Sequence, residues 1–204
     1  MPTQVSIAKG FNYDLWTADE FLDWLEPGVF ADLIGGEKFM HSPVSLAHGN
    51  LTNFLDRLLA AYIEKHQLGV LYREAIALRL SQRNVFMPDL AFFTETQARK
   101  FLASHIPFAP TWVCEVLSPR TADRDVGPKF AAYEEYGVQE YWILDPESLE
   151  HRFYHRIGDI FQEFSAGEEM IRSQSISGFW IRRSWLLPTQ LPRVTDALAE
   201  IGRE

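Results

Sequence analysis

Residues 112–117, Trp-Val-Cys-Glu-Val-Leu, constrain this chain more than any other stretch. The run is short and rich in β-branched and aromatic side chains, so it reads as a buried strand. Strand side chains alternate between faces. Trp112, Cys114 and Val116 therefore share one face, and Val113, Glu115 and Leu117 share the other. Glu115 points the same way as two apolar groups. An unpaired buried carboxylate is costly, so Glu115 must be paired, protonated or bound to a metal. A salt bridge to an arginine, or a strand with a wet end, would satisfy it without any chemistry.

The surroundings of that strand follow from local signals. Thr17 with Glu20 forms a capping box and predicts a helix over 17–25, stopped by Pro27 and Gly28. Residues 30–41 read as a hairpin about Gly35 and Gly36. Ser45 caps a helix running to about residue 65 and ended by Gly69, with Leu51, Phe54, Leu55, Leu58, Leu59 and Tyr62 on one face. Two short strands are expected over 69–80, and a strand over 88–93 opened by Pro88. Helices are expected over 94–104, 123–137 (despite Gly127-Pro128) and 195–201. A strand at 140–146 and a hairpin turning at Gly158-Asp159 complete the pattern. The order is neither clean βαβ repetition nor all-β. It predicts an α/β fold with a central mixed sheet flanked by helices.

Composition removes several classes. Hydrophobic residues make up 47% of the 204, enough for a sizeable core in one domain. No stretch reaches the roughly 18 apolar residues of a membrane span, and residues 1–10 lack a signal-peptide core. The single Cys114 rules out a disulfide framework or a cysteine-rich zinc site. A cytoplasmic protein with no membrane partner is expected. The net charge of -9 argues against a broad non-specific nucleic-acid binder. It leaves room for a nuclease, because a local basic patch and a bound cation can offset carboxylates at one site.

Two more acids join Glu115. Asp89 opens the apolar strand at 88–93, and Glu37 follows Gly36. Each alone reads as a turn or strand-edge residue. Together, carboxylates on successive strands suit a hard divalent ion such as Mg²⁺, which takes one or two carboxylates plus water and substrate phosphate. Lys129 is the candidate cation. Asp125, Lys129 and Tyr133 are four apart and share a helical face, which also fits an ordinary surface Asp–Lys pair. Arg73, Arg79, Arg83, Arg120 and Arg124 could form a local basic patch or be scattered solvated charges.

These residues carry a resemblance. ADLIGGEKFM at 31–40, SPVSLAHGNL at 42–51, MPDLAFF at 87–93 and the block from Trp112 to Pro146 are similar to the Uma-type family of putative restriction endonucleases, within the PD-(D/E)xK nuclease superfamily. The match covers about 17–165, leaving 166–204 as a C-terminal strand and helix extension of the same domain. It implies a restriction-endonuclease-like fold and a Mg²⁺-dependent endonuclease (Mn²⁺ as a substitute) acting on DNA. By the resemblance, Asp89 is the motif aspartate, Glu115 the second acid and Glu37 an extra metal-side carboxylate. Leu117 stands where the superfamily has its lysine, and Lys129 takes that role. Asp32 replaces a glutamate, and His48 matches the family's His-Gly pair.

Other readings stay open: an inactive nuclease fold serving as a binding or assembly module, a metal-dependent hydrolase of a smaller phosphate ester, or a structural protein with its carboxylates in salt bridges. A homodimer is expected, since a duplex has two strands and one site cuts one of them. Trp180 and Trp185 in the tail are the candidate interface.

Overall fold

The apolar stripe of the 46–66 helix decides where the main core lies. The computed structural model describes residues 15–74 and 76–203, so the leader reading of residues 1–10 lies outside the described residues. Helix α1, Ala18–Trp24, has both arms of the expected capping box. Strands β1 (Ala31–Ile34) and β2 (Glu37–Met40) pair antiparallel about Gly35 and Gly36. Helix α2, Leu46–His66, starts at Ser45, whose hydroxyl accepts from the His48 N–H. It ends at Gln67 in the left-handed region (φ 54°, ψ 41°), not at Gly69. Gly69 is needed for another reason: a Cβ there would stand 2.0 Å from the Phe93 carbonyl oxygen.

Strands β3 (Gly69–Arg73), β4 (Leu78–Arg79), β5 (Val85–Phe86) and β6 (Leu90–Thr94) follow. Helix α3, Glu95–Ala98, is one turn instead of the expected 94–104. Phe101 packs edge-on against Phe93 at 5.0 Å and stacks on Phe108 at 6.0 Å, which draws the chain back over the sheet. Strand β7 is Trp112–Val116. The helix expected over 123–137 is split into α4 (Ala122–Asp125) and α5 (Pro128–Glu135). Gly127 sits at the break (φ -114°, ψ -100°), and Pro128 lacks the N–H that would continue the helix. Strands β8 (Glu140–Leu144), β9 (Arg152–Ile157), β10 (Ile160–Phe164), β11 (Met170–Arg172) and β12 (Trp180–Arg182), a 3₁₀ turn at Arg183–Leu186 and α6 (Val194–Ile201) end the chain.

The central sheet has six strands in the order β10-β9-β8-β7-β6-β3. Its β7–β8 pair is parallel and its other pairs are antiparallel. A second sheet, β2-β1-β5-β4, carries the hairpin, and β11 pairs with β12. Trp112, Cys114, Val116, Trp142 and Leu144 form one core with α2, α6 and the tail. Val113, Leu117, Tyr141 and Ile143 form the other with α5. The tail corrects one expectation. Trp180 and Trp185 are 2% and 8% exposed and belong to the main core, so they present no interface.

Candidate active site

Alternation along β7 sends Glu115 to the α5 side of the sheet, as its neighbours Val113 and Leu117 require. Asp89 sits in a bend just before β6, one residue outside the strand expected to hold it. Leu90 pairs with Cys114, which sets Asp89 beside Glu115. The two are locked reciprocally: the Val116 N–H donates to Asp89 Oδ2 at 2.7 Å, and the Asp89 N–H donates to Glu115 Oε2 at 3.3 Å.

Lys129, on α5, is 3% exposed. Its ammonium lies 2.6 Å from Glu115 Oε1, 3.2 Å from Asp125 Oδ1 and 3.4 Å from Asp32 Oδ2. The surface Asp–Lys pair is thereby replaced by a buried one. The Tyr133 hydroxyl donates to Glu115 Oε1 at 2.8 Å. Asp32, on β1, accepts the Met87 N–H at 2.7 Å and lies 3.2 Å from His41 Nε2. His48, in the first turn of α2, reaches Asp89 Oδ2 with Nε2 at 3.4 Å.

One ammonium serves several acids, and the titration of the group reflects it. Burial alone would discharge Lys129, but Asp32, Glu115 and Asp125 together raise it well above its ordinary value, so it stays protonated. Burial opposes ionisation of Asp32 too, yet Lys129 and His41 bring it below its usual range. Glu115 goes the other way: burial, reinforced by Asp125, Asp89 and Asp32, outweighs Lys129 and pushes its carboxyl well up. Asp125 is raised chiefly by burial. Burial would lower His48, but its hydrogen bond and ion pair with Asp89 raise it overall. Lys129 is the cation that Asp32, Glu115 and Asp125 share.

Asp32, Asp89, Glu115, Asp125, Lys129 and His48 all line one open cavity of about 470 Å³. Three other predicted members are elsewhere. Glu37 is exposed and outside the cavity, because β2 is the edge strand of its sheet while β1, with Asp32, lies between β2 and β5. Arg79 is bound to Asp19 at 2.5 and 2.9 Å, and Arg83 donates to the Leu15 and Trp16 carbonyls. Of the expected basic patch, Arg73 is exposed beside the cavity-lining Glu74. Arg120 donates to Ser42 Oγ at 3.3 Å, and Arg124 lies 4.8 Å over the Phe39 ring.

A family model described as "Uma2: Putative restriction endonuclease" matches residues 18–188. The chain belongs to the Uma2 family. Its fold is similar to a crystal structure titled a putative nuclease belonging to DUF820, from Anabaena variabilis. The TM-score is 0.66 at 16% identity, over 91% of this chain and 98% of that one. No curated protein matches it. The α/β architecture, a mixed sheet flanked by helices, is thus the restriction-endonuclease-like fold of the PD-(D/E)xK nucleases.

The metal that such a fold implies can be tested against the residues of this Uma2 protein. Among the described residues, no three His, Cys, Asp or Glu side chains form a metal-holding group, so the expected trio of Asp89, Glu115 and Glu37 is not assembled. Mg²⁺ seldom needs such a cage: one or two carboxylates suffice when substrate phosphate completes the shell. Asp89 and Glu115 are adjacent hard-oxygen donors on a cavity, held by hydrogen bonds between β7 and the bend before β6. The donor set fits a hard divalent ion. Among the described residues, no helix is long and apolar enough to cross a membrane.

Asp32 and His41 were not singled out as site residues from the residues themselves. A signal for Asp32 existed: it is an acid inside the apolar run Ala-Asp-Leu-Ile, the same misfit that marked Glu115. His41 had none, since its contact with Asp32 depends on how the hairpin folds back.

Proposed function

We propose that this cluster hydrolyses phosphodiester bonds in DNA as an endonuclease dependent on Mg²⁺, with Mn²⁺ as a substitute. The observation that carries the reading is the buried Lys129–Glu115 pair at 2.6 Å, beside Asp89, at the bottom of an open cavity. Asp89 and Glu115 would hold the ion, which when bound polarises a phosphoryl oxygen and acidifies water. Lys129, ringed by Asp32, Glu115 and Asp125, acts as a positive charge facing the negative charge that builds on the phosphoryl group. Tyr133 and Lys129 together orient Glu115. The Val116 N–H and His48 orient Asp89.

The cavity also favours a second reading. About 470 Å³ is the size of a small-molecule pocket, and a chain at -9 does not attract a polyanion over distance. A smaller phosphate ester is therefore the alternative substrate. Cutting both strands of a duplex would take two copies of the site, and light scattering would detect that homodimer. Its interface must lie outside the buried tail aromatics.

The test is cleavage of supercoiled plasmid, labelled oligonucleotides and nitrophenyl phosphate esters, with Mg²⁺ and with EDTA. Wild type should nick or cut DNA only with the metal, and Asp89→Asn and Glu115→Gln should not. Turnover of the esters alone favours the second reading. Cleavage that survives EDTA and both substitutions rejects the assignment.

A further inference from the structure

We infer that the mouth of the cavity takes the face of an unpaired base, so that the substrate of the site is DNA with an unpaired nucleotide at the scissile phosphate. This rests on the phosphodiester reading above. Among the described residues, the exposed large apolar side chains Phe30 (39%), Met40 (55%) and Val44 (48%) all line the cavity whose floor holds Asp89, Glu115 and Lys129. They are not a floppy edge. The His41 N–H donates to the Phe30 carbonyl at 2.9 Å and Met40 pairs with Ala31, so the hairpin holds both side chains at the rim. Val44 follows Pro43 and precedes the Ser45 cap of α2.

A phosphate on the acidic floor leaves its own nucleoside facing those walls. A duplex keeps its base faces stacked inside and offers such walls only groove edges and charged backbone. An unstacked base presents a flat apolar face, which aromatic and apolar side chains bind without sequence preference. The cations point the same way. A duplex binder grips many phosphates with Lys and Arg. Here Arg79 and Arg83 are engaged within the protein, and Lys129 is buried. Arg120, exposed and bridged to the cavity-lining Ser42, and Arg124 suit one or two phosphates of a single strand. The cavity, about 470 Å³ and open at the mouth, has room for a nucleotide.

The experiment uses the full chain with Ca²⁺ in place of Mg²⁺, fluorescence anisotropy on a labelled DNA single strand and on its blunt duplex, and 2-aminopurine in the single strand to report stacking. The expected result is at least about tenfold tighter binding of the single strand, with a change in 2-aminopurine emission. Phe30→Ala/Met40→Ala should bring single-strand affinity down to the duplex level while circular dichroism shows the fold intact, since the two side chains are 39% and 55% exposed. Leu102→Ala, exposed and outside the cavity, should keep the preference. Equal affinity for the two forms, binding of neither, or wild-type behaviour of the double variant overturns the inference. Cleavage of duplex and single strand at equal rates overturns it as well and leaves the phosphodiester reading standing, whereas loss of all cleavage would remove that reading by itself.

Discussion

Two buried glutamates on adjacent parallel strands have opposite surroundings. Glu115, on β7, is 3% exposed, and Glu140, on β8, is 0% exposed. Among the described residues, Glu140 accepts from neutral donors: the Trp142 indole at 2.6 Å on Oε1, and the Ser173 hydroxyl, the Gln174 N–H and the Ser175 N–H at 2.8, 2.8 and 2.7 Å on Oε2. Burial raises its carboxyl, and these hydrogen bonds pull it back. It ties the tail to the sheet and does not line the cavity that Glu115 borders. Glu115 has an ammonium, a phenol and three carboxylate neighbours, and it borders open space. Burial of a carboxylate therefore does not mark function. A carboxylate that shares its cation with other acids at an open cavity makes a candidate site.

The largest effect that could break this contrast belongs to Lys129. Lys129→Met leaves Asp32, Glu115 and Asp125 without their cation. It should lower stability by about 3–5 kcal/mol and abolish cleavage. Urea denaturation at pH 8 reads the first, and a variant as stable as wild type would mean the ammonium is not shared as described. Glu140→Gln comes next. Its amide nitrogen cannot accept the donors that converge on Oε2, so the loss should be about 2–3 kcal/mol, with cleavage retained by the folded fraction.

His151 sharpens the comparison from the opposite sign. It is a buried base whose pKa falls to about 4, mainly through burial and then through Arg183. A base depressed in the folded state is protonated first in the unfolded chain. Its contribution is thus complete above about pH 6.5 and is lost as pH falls toward about 4. Over that window stability should decline by on the order of 2–3 kcal/mol, and His151→Phe should flatten the decline. An unchanged slope in that variant would assign the acid sensitivity elsewhere.

The smallest stability effect should come from Glu115→Gln. It removes one negative charge from a cluster with too many and keeps an acceptor for Lys129 and Tyr133. Stability at pH 8 should change by no more than about 1 kcal/mol while cleavage is lost. The paired Glu→Gln substitutions, matched denaturation curves beside matched cleavage assays, separate a carboxylate that holds the fold from one that serves chemistry. Similar losses at both positions would erase the distinction.

Most of the element pattern was legible in the sequence because it depends on neighbours in the chain. The capping box of Thr17, the Gly35-Gly36 hairpin and the stripe of α2 use contacts three or four residues apart, or a turn. So does the misfit of Glu115 in an apolar strand, which follows from alternation alone. Tertiary structure decided what that carboxylate meets. Whether Lys129 lies on a surface or in a core depends on how α5 packs against β7 and β1. Asp32 lines the cavity and Glu37 does not, because strand order makes β2 the edge and β1 interior. Trp180 and Trp185, expected at an interface, are buried because Glu140 and α2 hold that tail against the sheet. Burial and charge balance are set by residues far away in the chain, and local periodicity carries no information about them.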